Sequence, residues 1–330
     1  MPRIKRIYAA AIACVTAIAA LTAHAQDAWK PEKNVEIVVP TAAGGGNDKT
    51  ARVLQKIWQE MGLQTTVANR TGGGGAVAYS YIAQRTADPH HLAIAQAGLF
   101  TNNITGKSPI QYTDFTVLAN LGIEPSAIAV RTESPIKSGR ELFDRLKQDP
   151  ASVSISIGST AGGTSHMALS RAYKTTGGDP KKLKTVAFTG SSEAVVAVLG
   201  GHIDAMISAI NNVVPHVKAG KMRAVAVTST NRLTGDFANV PTLRELGMDA
   251  AGYGWTVILA PKGLTPAQVR YWEDMIAKAA QTSEWKAYLA ANHWIYTVQR
   301  SSDATRYLAA EHDVARRALT DLGMAKGSAQ

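Results

Sequence analysis

VVPTAAGGGNDKTAR, residues 38–52, is the stretch that decides the fold. An apolar run ends at Pro40 and three glycines, Gly44 to Gly46, turn the chain. Ala51, Leu54, Trp58 and Met61 then recur at helical 3-4 spacing, and Gly62 stops the helix. A strand that opens through glycines onto a helix N-terminus makes a small-anion pocket. The first N–H groups of the helix lack intrahelical partners, and the helix dipole favours negative charge there. The same grammar recurs at 69–75, 158–165 and 188–192.

Outward from this stretch, strand patterns at 65–68, 92–96, 117–121 and 127–130 and a short helix at 76–84 predict a mainly parallel α/β sheet. The register changes around 131–137. Ser138 to Glu141 is a capping box that opens a helix ending before Pro150. A second α/β unit follows, with strands at 153–157, 184–188, 203–207 and 223–228 and helices starting at Thr164 or Ser165, at Ala194 and at Asn211. Then come a short helix from Pro241, a strand at 255–260, and three helices at 266–281, 284–292 and 303–322. The first of the three starts with Thr265 as N-cap and Pro266 at the first helical position. This tail is expected to pack back on the first domain. The expected architecture is α/β with two domains, 26–130 plus 251–330 and 131–250, each a mainly parallel sheet flanked by helices, with the ligand cleft between them.

Residues 1–25 read as a cleaved export signal. Arg3, Lys5 and Arg6 form a positive start, 7–21 is apolar, and Ala23-His24-Ala25 is a cleavage site. The apolar run is short for a membrane span, which needs about 20 residues. Cys14 is the single cysteine, so a mature chain from Gln26 carries no disulfide, no thiol nucleophile and no cysteine metal site. The formal charge of +10 falls to +7 when the three positives of the signal are removed. That surplus is scattered. Its one tight cluster, Lys181-Lys182-Lys184, has no interleaved aromatics, so nucleic acid is not the expected partner. His90-His91 has no partner at helical spacing and reads as an exposed turn rather than a metal site. No cofactor is expected.

Ligands of open α/β sheets bind beyond the carboxyl ends of the strands, and all four glycine loops fall at such ends. They are therefore expected to converge on one cleft that holds a carboxylate. The first loop offers Thr41, Ala43, Gly44, Gly45, Asn47 and Asp48, and the second Gly73 and Gly74. The third offers Ser159, Thr160, Gly163, Thr164, Ser165 and His166, and the fourth Phe188, Gly190 and Ser191. Only Lys49 and Arg70 stand at the margins, so recognition falls to backbone amides, hydroxyls and water. Asp48 fits a helix cap better than a contact with an anion. His166 is either a donor to the ligand or a helix-surface residue. Trp255 and Tyr253 read as core or cleft wall. A nucleotide loop fails on glycine spacing, with Asp48 before Lys49-Thr50. A hydrolase elbow fails because Ser159 stands one place early in Gly158-Ser159-Thr160-Ala161-Gly162. An exported hydrolase acting on a small acid or ester is the alternative.

Taken in order, these motifs resemble one family. They are Pro40 to Asp48 with Ala51-Arg52, Asn69-Arg70 with Gly72 to Gly75, Asp114-Phe115, and Gly158-Ser159 with Gly162 to His166. Further on come Gly190-Ser191-Ser192, Gly200 to Asp204, Ala219 to Ala224, and Pro241-Thr242 with Glu245. The set resembles the Bug (TctC) receptors, periplasmic solute-binding proteins of tripartite tricarboxylate transporters. The resemblance implies a two-domain Venus-flytrap fold without catalysis, a small carboxylate held between the domains, Asp204 within the candidate site set, and delivery to a membrane transporter of one large and one small subunit. Monomer is the default. Two departures, Thr41 where the family often has a bulky residue and Phe188 where it often has tyrosine, imply a ligand with an apolar or aromatic body. An aromatic mono- or dicarboxylate such as terephthalate is the example.

Overall fold

The structure is a computed structural model and describes residues 29–158, 161–188 and 190–327. The expected signal segment with Cys14, and the site candidates Ser159 and Thr160, lie outside the described residues. The first half alternates β1 (Val35–Val39), α1 (Gly46–Glu60), β2 (Thr65–Asn69), α2 (Ala76–Ala83), β3 (His91–Ala95) and α3 (Gly98–Ile104). One long strand, β4 (Phe115–Arg131), then leads to α4 (Gly139–Gln148), β5 (Ile155–Ser156), α5 (Thr164–Thr175), β6 (Thr185–Val186), α6 (Ser191–Leu199), β7 (Ala205–Ala209), α7 (Val214–Lys218) and β8 (Met222–Val227). The chain returns through β9 (Tyr253–Pro261) and ends in α8 (Pro266–Gln281), α9 (Ser283–Ala291), β10 (Gln299–Arg300) and α10 (Ser301–Asp321).

The strand order β2-β1-β3-β9-β4-β7-β5-β6 makes one curled sheet, with β8 and β10 also paired to β4. Its flanks are parallel, β1 with β2 and β3, and β5 with β6 and β7. Its centre is antiparallel, because β4 and β9 run in opposite senses between the two halves. The sheet is thus more mixed than the βα alternation alone implies. The two strands expected at 117–121 and 127–130 are one. β4 pairs β9 as far as Pro125 and β7 from Ser126 onward, so the ladder changes partner five residues before the expected boundary. Gly122 lies at a register shift, which is why the sequence reads there as a break.

Each half has its own core. In the first, Leu54, Ile57 and Trp58 of α1 pack under β1 against Trp272 and Trp285 of the tail helices. In the second, Leu142, Phe143 and Leu146 of α4 pack with Leu169 and Tyr173 of α5. The tail does return to the first half, as expected, but α10 also leans on α5 of the second, with Leu319 and Met167 in a shared cluster. The helix expected from Pro241 is not formed. Thr242 and Glu245 do cap one another, but Gly247 (φ +88°) turns the chain at once and Thr242 bridges to Val227 instead. No helix of the described residues is long and apolar enough to cross a membrane.

Candidate functional site

The segments that follow β1, β2, β3, β5 and β7, and the start of α6, line one cleft of about 850 Å³. Gly122, Glu124 and Ser126 of β4, with Gly254, Trp255 and Thr256 of β9, form its floor, and Tyr288, Asn292 and Trp294 of the tail close one side. The strand-end rule therefore holds for both flanks of the sheet.

The way the helices begin decides what this cleft can hold. α1, α2, α5 and α6 start at Gly45, Gly75, Gly163 and Gly190, and none of these N-caps has a side-chain hydrogen bond. The helices α4, α8 and α9, which start elsewhere, are capped by Ser138, Thr265 and Thr282. A glycine cap leaves first-turn N–H groups free for an outside acceptor. This corrects the expectation that Asp48 and Thr164 or Ser165 are caps. The true caps lie one to three residues earlier and are glycines.

Two buried polar groups hold the loops rather than a ligand. Asp48 is 1% exposed and its Oδ2 accepts from the Gly44 N–H (2.8 Å) and Arg52 Nε (2.9 Å). Its Oδ1 accepts from Asn69 Nδ2 (3.0 Å), which also donates to the Thr41 carbonyl (2.9 Å), so the first two glycine loops are tied together from beneath. The hydrogen bond and charge of Arg52, with the Gly44 and Asn69 donors, outweigh burial and hold the Asp48 carboxyl down at about 2. His166 is buried and accepts the Gly162 N–H at Nδ1 (3.0 Å), and burial lowers it to about 4, so the ring is neutral and shapes the third loop. Thr101 Oγ1 of α3 donates to the Gly162 carbonyl (3.0 Å) across the cleft. Asn102 Nδ2 donates to the carbonyls of Gly73 (2.7 Å) and Gly74 (3.1 Å). Gly98 is required there, since a Cβ on it would stand 2.6 Å from the Gly74 oxygen.

Of the candidates read from the sequence, Thr41, Gly45, Asn47, Gly73, Gly74, Gly163, Thr164, Ser165 and Ser191 line the cleft. Ala43, Gly44, Asp48, His166 and Gly190 belong to the same loops but are absent from the lining; of these Asp48 and His166 are buried and Ala43 and Gly44 exposed. Two are elsewhere. Phe188 is absent from the lining and packs, partly buried, against the core of the second half, as Val186 does. Asp204 precedes β7, at the end away from the cleft, and its Oδ2 accepts from the Ser154 N–H (2.8 Å) and Oγ (2.6 Å). Lys49 and Arg70 are likewise absent from the lining, whose one cation among the described residues is Lys107.

The sequence reading missed Glu124, Asn211, Tyr288, Trp294 and Lys107. Asn211 follows the end of β7 and the strand-end rule reaches it once that end is set at Ala209 rather than 207. Glu124 was masked by the apparent break in β4. Tyr288 and Trp294 come from the tail, and no local spacing signals their return. Five buried polar atoms around the cleft have no hydrogen-bond partner: Thr41 Oγ1, Asn47 Nδ2, Glu124 Oε1, Asn211 Oδ1 and Trp294 Nε1. Buried polar groups are nearly always bonded, so such a cluster marks a place for ligand or ordered water.

A family profile described as "Tripartite tricarboxylate transporter family receptor" matches residues 50–324. The chain belongs to this receptor family. Among relatives, Protein BugT of Bordetella pertussis is 27% identical over 279 residues, covering 83% of this chain and 84% of that protein. A TctC solute binding protein from Polaromonas superposes with a TM-score of 0.76 at 26% identity, over 89% of this receptor and 100% of that chain. An R. palustris protein solved with adipate gives 0.75 at 25% identity, over 89% and 99%. These neighbours share the two-domain binding-protein fold.

Proposed function

We propose that this receptor works in the periplasm, where it captures a small organic carboxylate between its two halves, residues up to 125 with 253 onward against 126–252. It then presents the ligand to a membrane transporter of one large and one small subunit. The observation that carries this reading is the set of four glycine-capped helix N-termini at one cleft. Its support from kin is the adipate of the R. palustris neighbour. The cleft volume, about 850 Å³, lies within the usual range for small-molecule sites.

The mechanism is closure. The first two loops, held by Asp48 and Asn102, receive the carboxylate. Rotation about β4 and β9 then brings Ser165, Ser191 and Asn211 onto it. Water leaves, and each remaining hydrogen bond gains strength in the drier site. Tighter binding to the closed form is the whole driving force. No bond of the ligand is made or broken. The apolar body expected of the ligand loses the support of Phe188 and rests instead on the room beside Thr41 and on the Trp255 wall.

A thermal-shift screen of chain 26–330 against mono- and dicarboxylates, aliphatic and aromatic, tests this. A ligand at about 100 times its Kd stabilises the native state by about 2.7 kcal/mol. A clear rise in Tm with an acid that is recovered unchanged is expected. No shift with any acid, or turnover of the acid, contradicts the proposal.

A further inference from the structure

The unpartnered atoms of the cleft include donors in the first glycine loop and a carboxyl oxygen on the crossover strand. At the glycine-loop end, Thr41 Oγ1 and the Asn47 amide can donate to an acceptor. On the crossover strand stands the cleft's one acid among the described residues, Glu124. Its Oε1 has no partner. The Asn211 backbone N–H from the second half and the Trp294 indole N–H from the first are its polar neighbours, and both favour the charged carboxyl, though less than burial opposes it. Tyr288 is the remaining titratable group beside it, and its hydroxyl is engaged with Thr50 Oγ1 at 2.7 Å.

We propose that Glu124 is a specificity residue that recognises an ammonium group on the ligand, so that the preferred ligands are ω-amino carboxylates rather than dicarboxylates. The carboxylate end of such a ligand meets the glycine loops and its cationic end meets Glu124. The inference rests on the carboxylate-receptor reading above and narrows it. Three observations carry it. A carboxyl is an expensive group to place on a cleft floor, and a cation is what offsets that cost. Among the described residues, no cation acts on Glu124. Lys107, the cleft's single cation among the described residues, is an exposed residue of the segment after α3. Burial accordingly pushes the Glu124 carboxyl up to about 8, as expected of an acid whose charge nothing pairs. Finally, Glu124 lies one residue from the change of ladder partner at Pro125/Ser126, with donors from both halves around it. An ion pair formed there forms where the halves close, and so favours the closed state.

Calorimetry with two matched series tests this. One is 6-aminohexanoate, adipate and hexanoate. The other is 4-(aminomethyl)benzoate, terephthalate and 4-methylbenzoate. In at least one series the amino acid should bind about tenfold or more tighter than its dicarboxylate and methyl partners. Glu124→Gln, which keeps shape and removes the charge, should bring that preference below about threefold. A dicarboxylate that binds as tightly as the amino acid in the natural protein overturns the inference alone, as does a preference that survives Glu124→Gln. Failure of every one of these acids to bind overturns the inference together with the carboxylate-receptor reading.

Discussion

Asp48 shows how a residue can be essential to a site it does not line. Its carboxylate accepts from Gly44, Arg52 and Asn69, and so fixes two glycine loops at once. Asp48→Ala strands those donors beneath the cleft and is expected to cost about 2–3 kcal/mol of stability, seen as a lower urea midpoint, and to weaken ligand binding as well. The pH dependence has a definite sign. The folded carboxyl is held at about 2 against an ordinary 3.8, so its contribution is full above the ordinary value and fades as pH falls through the folded one. Melts of the natural protein and Asp48→Asn should therefore converge between about pH 4 and pH 2. A gap that stays constant through that window contradicts the assignment. The sequence showed Asp48 and its glycines plainly. It did not show that the side chain reaches back to Gly44 rather than capping its own helix, since both readings use the same short acid at the same helix start.

At the scale of elements, two kinds of helix start stand out. Ser138, Thr265 and Thr282 close helices that begin away from the cleft, whereas glycines open four of those that face it, and α3 starts there after Ala97. Thr265→Ala should cost about 1 kcal/mol, lowering Tm with ligand affinity unchanged. A loss of affinity would mean that these ends are coupled to the cleft. Such caps are legible because they are local: Thr265 and Gln268, three residues apart, form the full reciprocal box, whereas at Ser138 only half of it forms, since Ser138 accepts from the Glu141 N–H but the Glu141 carboxylate reaches back one residue further, to the Lys137 N–H. Long amphipathic helices were legible for the same reason. The two-residue strands β5 and β6 and the 17-residue β4 were not, since their extent is set by pairing with distant partners. The crossover strand is also what hid Glu124. Read as a gap between two strands, it carries a loop acid. Read as one strand through the cleft, it carries a buried one.

For the whole molecule, the plan of two α/β halves joined by crossing strands was legible from the repeated strand-glycine-helix grammar. The cleft followed from the strand-end rule. The return of the tail to line it was not legible: Tyr288 and Trp294 reach residues far away in sequence, Thr50 among them. The central claim is that the glycine-capped helices of the two halves hold one carboxylate. Gly163 tests it most directly. Its backbone is extended (φ −72°, ψ 174°), a conformation any residue adopts, and an aspartate there is itself a good helix cap. Gly163→Asp should keep or slightly raise Tm while placing a negative charge where the ligand's carboxylate sits. The measurement is calorimetric titration of the natural protein and Gly163→Asp with the acid that the thermal screen selects. The account predicts one-to-one binding by the first and at least about a hundredfold loss in the second at unchanged Tm. Equal affinity in both, with the fold intact, would contradict it.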